Sequence, residues 1–278
     1  METLFEPPDD HRSGATTEVP DGDLPLAARM RPRTLEQFIG QRHLLDDGAG
    51  LRVAVEAGRL HSAVFHGPPG TGKTTLARLA AERAEGAFEE LSAVQAGRAE
   101  VRGVLERARQ RRQSGRRTVF FLDEIHRFNK AQQDALLPAV EEGLVVLTGA
   151  TTENPYFEVN SALLSRCQVY ELRALDAGDT AEVLRRALDD ERGVPDAPPL
   201  SDEAIAHLAR QAGGDARAAL AALERAVALA RDGGLPEIDL AVAEDALQRQ
   251  AVRYDRAGDQ HYDFASALTK SLRGSDLD

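Results

Sequence analysis

Gly67-Pro68-Pro69-Gly70-Thr71-Gly72-Lys73-Thr74 stands between an apolar run, Ala63, Val64 and Phe65, and a helix-compatible one, Leu76, Ala77, Leu79 and Ala80. A glycine-rich turn from a buried strand into a helix lets backbone N–H groups approach an anion at the helix N-terminus, where the peptide dipoles favour negative charge. In this spacing Lys73 reaches β- and γ-phosphates and the Thr74 hydroxyl can ligate Mg²⁺ at the first helical turn. Residues Gly67 to Thr75 therefore predict a site for a nucleoside triphosphate. A strand-to-helix turn that matched by chance would not also carry the right flanks.

About fifty residues downstream, Val119-Phe120-Phe121-Leu122-Asp123-Glu124 puts four apolar residues ahead of two carboxylates. This is the pattern of a buried strand whose carboxyl end opens onto the phosphate site. The two acids suit different tasks: Asp123 holds Mg²⁺ through its water shell, and Glu124 orients and polarises the attacking water. His126, in Asp123-Glu124-Ile125-His126, reads as a structural hydrogen-bonding residue.

Working outward, strand-like runs at 62–66, 88–91, 119–122, 144–149 and 169–172 alternate with helical stretches near 73–85, 98–112 and 130–142. Strands alternating with helices predict an α/β fold, a parallel sheet covered on both faces. After about residue 174 the strand signals stop. The stretches 179–190, 202–211, 216–231 and 240–250 read as amphipathic helices of a small all-α lid, with Ser201, Asp215 and Asp239 as N-caps.

A chain of 278 residues and 30.1 kDa is long enough for two compact units and part of a third. The expected organisation is a disordered leader over 1–25, an ATPase core over 26–173 and a helical lid over 174–250, followed over 251–278 by a segment that resembles the start of a C-terminal oligomerisation domain, here truncated. The leader holds seven acidic residues against one arginine, with Pro7, Pro8, Pro20 and Pro25, and its Leu4-Phe5 pair is its one apolar interruption. Cys167 is the single cysteine, so no internal disulfide is possible, and no apolar run reaches the roughly 18 residues that span a bilayer. A cytoplasmic setting is the expectation, with no membrane partner. Histidine spacing does not predict a zinc site.

Net charge of −12 argues against coating nucleic acid by bulk attraction. Between Arg98 and Arg117, however, eight arginines face two glutamates, a local excess of +6. That is a candidate electrostatic footprint for DNA, although a solvated helix face is the commoner origin of such a pattern. Other nucleotide-dependent classes fit less well. A two-lobed helicase needs a second sheet domain, Asn129-Lys130-Ala131-Gln132 lacks the aspartate that pairs with guanine, and Ser92 to Gly97 offers no aromatic pore loop for a protein unfoldase.

These motifs resemble those of the AAA+ ATPases, and within them the clamp-loader-like branch. Leu147 to Pro155 is similar to the strand end bearing the sensor 1 residue, here Thr152 with Thr151 beside it. Ser165-Arg166-Cys167 resembles the motif whose arginine reaches a neighbouring subunit's nucleotide. Gly214-Asp215-Ala216-Arg217 resembles the sensor 2 element, which makes Arg217 a lid contact to the γ-phosphate. Arg31-Pro32 and Phe38-Ile39-Gly40-Gln41 resemble the segment that frames adenine. Pro25 to Pro32, Asp123 to Lys130 with Gln132-Gln133-Asp134, and Gly149 to Pro155 further resemble the replication-associated recombination protein A family, from about residue 25 onward. The resemblance implies an oligomeric, DNA-dependent, nucleoid-associated ATPase using ATP and Mg²⁺. It implies action at single-stranded, gapped or duplex-end DNA, with single-strand-binding protein and recombination or replication factors. A clamp-loader or branch-migration-like subunit, or a low-turnover ATP-binding switch, is the alternative; the switch needs neither Glu124 nor Arg166.

Overall fold

The structure, a computed structural model, describes residues 24–256. Residues 1–23 of the expected leader, with its Leu4-Phe5 pair, and residues 257–278 of the expected C-terminal segment lie outside the described residues. The first part of the chain runs α1 (Leu26–Arg29), α2 (Arg42–Leu45), α3 (Gly50–Glu56), β1 (Ala63–His66), α4 (Lys73–Arg83), β2 (Ala87–Ser92), α5 (Arg98–Gln113) and β3 (Thr118–Asp123). It continues through α6 (Lys130–Asp134), α7 (Leu137–Glu141), β4 (Val146–Thr151), α8 (Pro155–Glu158), α9 (Ser161–Leu164) and β5 (Gln168–Glu171). Four further helices close it: α10 (Ala177–Asp189), α11 (Asp202–Gln211), α12 (Ala216–Asp232) and α13 (Leu240–Arg256).

The expected α/β class holds. All strand pairs are parallel, in the order β2-β3-β4-β1-β5. A parallel sheet needs cover on both faces, and β3 shows how the sequence meets that need. Phe120 and Leu122 pack with Val101, Val104 and Ala108 of α5 and with Leu136 and Leu147. Phe121, pointing the other way, packs with Phe65, Leu76, Leu79 and Val55. The unbroken apolar run is thus split by the period-2 pleat between two cores. β1, β3 and β4 stand side by side in register, so their carboxyl ends share one edge of the sheet.

The helical stretch expected over 130–142 is two helices. Pro138 has no N–H to donate and its ring crowds the carbonyl four residues back, that of Asp134, where α6 ends. The helices from Ala177 onward build a separate, alanine-rich core around Leu184, Leu208, Leu220, Leu223 and Ala226. Ser201, Asp215 and Asp239 cap α11, α12 and α13 by accepting from Ala204, Ala218 and Val242 N–H. Leu26 and Met30 also bury themselves in this helical core rather than against the sheet. The four-residue α1 is too short to make a core, and Glu224 accepts from Leu26 N–H at 2.9 Å.

Candidate active site

Each strand of the central trio ends at a chemically distinct group. The turn after β1 carries the glycine-rich loop, β3 ends at Asp123 and Glu124, and β4 is followed at once by Thr152. Because the register places these ends side by side, the loop from Pro69, the two acids and Thr152, up to 83 positions apart, meet at one cleft of about 200 Å³. Pro69, Gly70, Thr71, Gly72, Lys73, Thr74 and Thr75 line it, together with Asp123, Glu124, Thr152 and Arg217.

The loop is held from three sides. Lys73 Nζ donates to the carbonyls of Gly67 and Pro68, both at 2.8 Å, and Thr71 Oγ1 donates to Pro68 O at 2.9 Å. From the helical region, α12 begins against Gly70, where a Cβ would lie 1.8 Å from Asp215 Oδ1. Only glycine, free to adopt φ +67°, lets loop and helix approach so closely. The N-terminus of α4 opens at Lys73, with its first N–H groups turned to the loop.

Three cations converge here. Burial lowers the Lys73 ammonium below its ordinary range; Glu124 and Asp123 raise it and Arg217 lowers it. Arg31, also in the cleft wall, is lowered first by burial and then by Arg78, with Arg217 adding to the effect. Cations that desolvate and repel one another are relieved by an anion placed among them. Among the described residues no group of three or more His, Cys, Asp or Glu stands where it would hold a metal ion.

The other end of the cleft is apolar. Ala27 and Met30 from the N-terminal segment, Ile39 and Phe38, Leu175, Val183 of α10 and Leu220 of α12 form its walls. Ile39 and the Arg31-Pro32 segment were expected to frame a base, whereas Met30, Val183, Arg186 and Leu220 were not singled out. Val183 and Leu220 read in sequence as ordinary members of an amphipathic face, and nothing local marks them as cleft wall. Arg186 ties the wall together by donating to Gln37 O.

Three expected nucleotide contacts and one catalytic residue do not line the cleft. Gly67 and Pro68 present carbonyls to Lys73 instead, and a Cβ on Gly67 would lie 2.0 Å from Leu172 O. Gly40 lies against Leu175 and Asp179. Arg166 follows α9 outside the cleft, donating from Nη1 to Ala162 O at 2.7 Å and Ser165 Oγ at 3.0 Å and pairing with Glu141. Its position leaves a role within its own chain's cleft unsupported. Tyr156 and Phe157, on the neighbouring α8, are the most exposed aromatic side chains among the described residues.

The arginine-rich stretch is partly neutralised. Arg107 and Arg111 both pair with Glu89 of β2, Arg109 with Glu106, and Arg112 Nη1 donates to Glu142 O. Glu89 is held below the usual carboxylate range by its hydrogen bond from Arg107, and Arg111 adds to it. Arg98, Arg102, Arg116 and Arg117 make none of these contacts.

A sheet edge bearing a phosphate loop, two carboxylates and a polar strand end, closed by a helical region that adds an arginine, defines a P-loop ATPase module of the AAA+ type. The chain matches the family model described as "ATPase family associated with various cellular activities (AAA)" over residues 63–174 and the one described as "AAA C-terminal domain" over 196–273. It is 50% identical to replication-associated recombination protein A of Escherichia coli K12 over 90% of this chain and 57% of that protein. With the Bacillus subtilis protein of the same name it is 42% identical, over 91% of this chain and 60% of that one. The chain is an AAA+ ATPase similar to the replication-associated recombination protein A proteins, and spans a little over half the length of these relatives. Its fold is similar to the solved Thermotoga maritima RuvB Holliday junction branch migration motor, with TM-score 0.65 and 26% identity over 79% of this chain and 72% of that one.

Proposed function

We propose that this chain hydrolyses ATP in an oligomer that acts on DNA during replication and recombination. The observation that carries the reading is the convergence of Lys73, Arg31 and Arg217 around one cleft whose far end is apolar. Triphosphate relieves the cations, and adenine fills the space between Met30, Ile39, Val183 and Leu220. Thr74 and Asp123 face the same cleft and suit Mg²⁺, which takes a hydroxyl, a carboxylate through water and phosphate oxygens in preference to an all-protein cage. Bound there, Mg²⁺ would neutralise charge on the β- and γ-phosphates.

In this reading Glu124 accepts a proton from the attacking water as its oxygen bonds to the γ-phosphorus and the bond to the β–γ bridging oxygen breaks, its electron pair leaving with ADP. Thr152 contacts the γ-phosphate from the end of β4, and Arg217 stabilises the charge spread over the transferring oxygens. Arg166 serves the cleft of a second copy. Its ion pair with Glu141 is half exposed and contributes little to stability, so releasing the guanidinium to a neighbour costs little. The exposed Tyr156 and Phe157 beside it suit a surface that another copy covers.

Similarity to the replication-associated recombination proteins supports DNA as the polymer acted upon, in single-stranded, gapped or duplex-end form, with single-strand-binding protein and recombination or replication factors as partners in a cytoplasmic, nucleoid-associated setting. Likeness to a branch migration motor supports a remodelling role. No helix among the described residues is long and apolar enough to cross a membrane.

The test is ATP turnover measured with no DNA and with single-stranded, gapped and blunt-ended DNA. Stimulation by at least one form is expected, and turnover indifferent to all of them would remove the DNA-dependent part of the reading. For Arg166, the Arg166→Ala and Lys73→Ala variants are each expected to be inactive, while their mixture regains turnover because one supplies the arginine and the other the intact loop. A mixture as inactive as its components would show that the arginine does not act in trans.

A further inference from the structure

The imidazole of His126 links the end of β4 to the carboxylate of Glu124. His126 Nδ1 lies 2.8 Å from Thr151 Oγ1, and His126 Nε2 lies 3.3 Å from Glu124 Oε2. Thr151 is fully buried, and its Oγ1 already accepts the Glu153 N–H at 3.0 Å. For a neutral ring the hydrogens follow from the partners. A carboxylate only accepts, so the ring proton sits on Nε2, facing Glu124. Nδ1 then accepts, and the Thr151 hydroxyl donates to it. A single line runs from the Glu153 N–H through Thr151 and His126 to Glu124.

The backbone around Glu124 gives that line something to hold. Glu124 has φ 53° and ψ 45°, in the left-handed region that a residue with a side chain adopts only under constraint. Its N–H donates to Asp123 Oδ1 at 3.2 Å, and its carbonyl accepts from Arg127 N–H at 2.8 Å. These bonds and the fully buried Ile125 fix the main chain but leave the carboxylate free to rotate. Lys73 acts on it electrostatically from the phosphate loop, and the His126 ring lies 3.3 Å from it.

We propose that His126 is a positioning residue for ATP hydrolysis: it aims the Glu124 carboxylate according to the position of the end of β4. Thr151, which holds the ring, is bonded to Thr152, which lines the phosphate end of the cleft. A shift of that strand end on meeting or losing the γ-phosphate moves the Thr151 hydroxyl, hence the imidazole, hence the carboxylate. No proton passes through His126; it orients the base and does not replace it. The inference rests on the reading of Glu124 as the residue that activates water.

The test compares wild type with His126→Ala, His126→Gln, Thr151→Val and Thr151→Ser in steady-state ATP turnover, alongside affinity for a fluorescent ATP analogue. His126→Ala and Thr151→Val are each expected to lower kcat by about tenfold or more while KM and analogue affinity stay within about twofold. Thr151→Ser keeps the hydroxyl and is expected to retain most of the turnover, and His126→Gln, which can still donate to Glu124, to recover part of it. In a Glu124→Gln background His126→Ala is expected to add no further loss. A kcat within about twofold of wild type in both His126→Ala and Thr151→Val overturns the inference, as does a further loss in the Glu124→Gln background. Should His126→Ala fail to fold, Thr151→Val against Thr151→Ser decides alone. A wild type and a Glu124→Gln variant of equal turnover would instead overturn the reading of Glu124 on which the inference stands.

Discussion

The sheet edge and the helical region from Ala177 onward both furnish the cleft, but they do so by different means. The sheet delivers its groups through register. Lys73, Asp123, Glu124 and Thr152 follow the ends of three strands whose partners are set residue by residue, and whose large side chains are buried on both faces. The helical region delivers Arg217, Val183 and Leu220 from helix surfaces packed through small residues, and meets the phosphate loop at the close approach of Asp215 to Gly70. The difference teaches that the sheet fixes the mutual distances of its groups through strand register, while the helical region sets the position of its groups through a single close approach to the loop.

That contrast is broken or sharpened most directly by the two charged groups on its opposite sides. Glu124→Gln, on the sheet side, is expected to lower ATP turnover by about 100-fold or more while analogue affinity persists, as read by steady-state rates beside equilibrium binding. Arg217→Ala, on the helical side, is expected to cost turnover about tenfold with a smaller loss of affinity. Equal losses from the two would erase the distinction between the sheet edge and the helical region.

Stability offers a second comparison. Phe121→Ala opens a void between the strands and α4, and is expected to cost about 3–5 kcal/mol in denaturant unfolding. Leu223→Ala, in the alanine-rich helical core, is expected to fall nearer 2–3 kcal/mol, because helices packed through small residues close part of the cavity. If the two regions unfold in separate transitions, each variant is expected to move its own transition. The last effect concerns Cys167, next to Arg166. Burial pushes its thiol up to about 11, so iodoacetamide labelling at pH 8 is expected to be about tenfold to 100-fold slower in the native chain than in the denatured one. The lower thiolate fraction is partly offset by its higher nucleophilicity.

Much of the site was legible because its parts are short and carry their own spacing. Gly70 to Thr75 and Asp123-Glu124 are written in consecutive residues, and the alternation of apolar runs with helical stretches announced a parallel sheet before its order was known. The helix boundary missed near residue 135 was also legible in principle, since Pro138 marks it. Arg107 and Arg111 looked like free charge in sequence, because Glu89 lies on another element about twenty residues away.

Local order along the chain determined the phosphate loop, the strand bearing two acids, the caps of the last helices and the split of the chain into an alternating part and a helical part. Each depends on interactions among residues a few positions apart. Tertiary structure alone decided that Met30, Val183 and Leu220 share a wall, that α1 leaves the sheet for the helical core, and that His126 stands between Thr151 and Glu124. Those outcomes depend on contacts between distant segments, and such contacts arise only when the sheet register and helix packing bring the segments together.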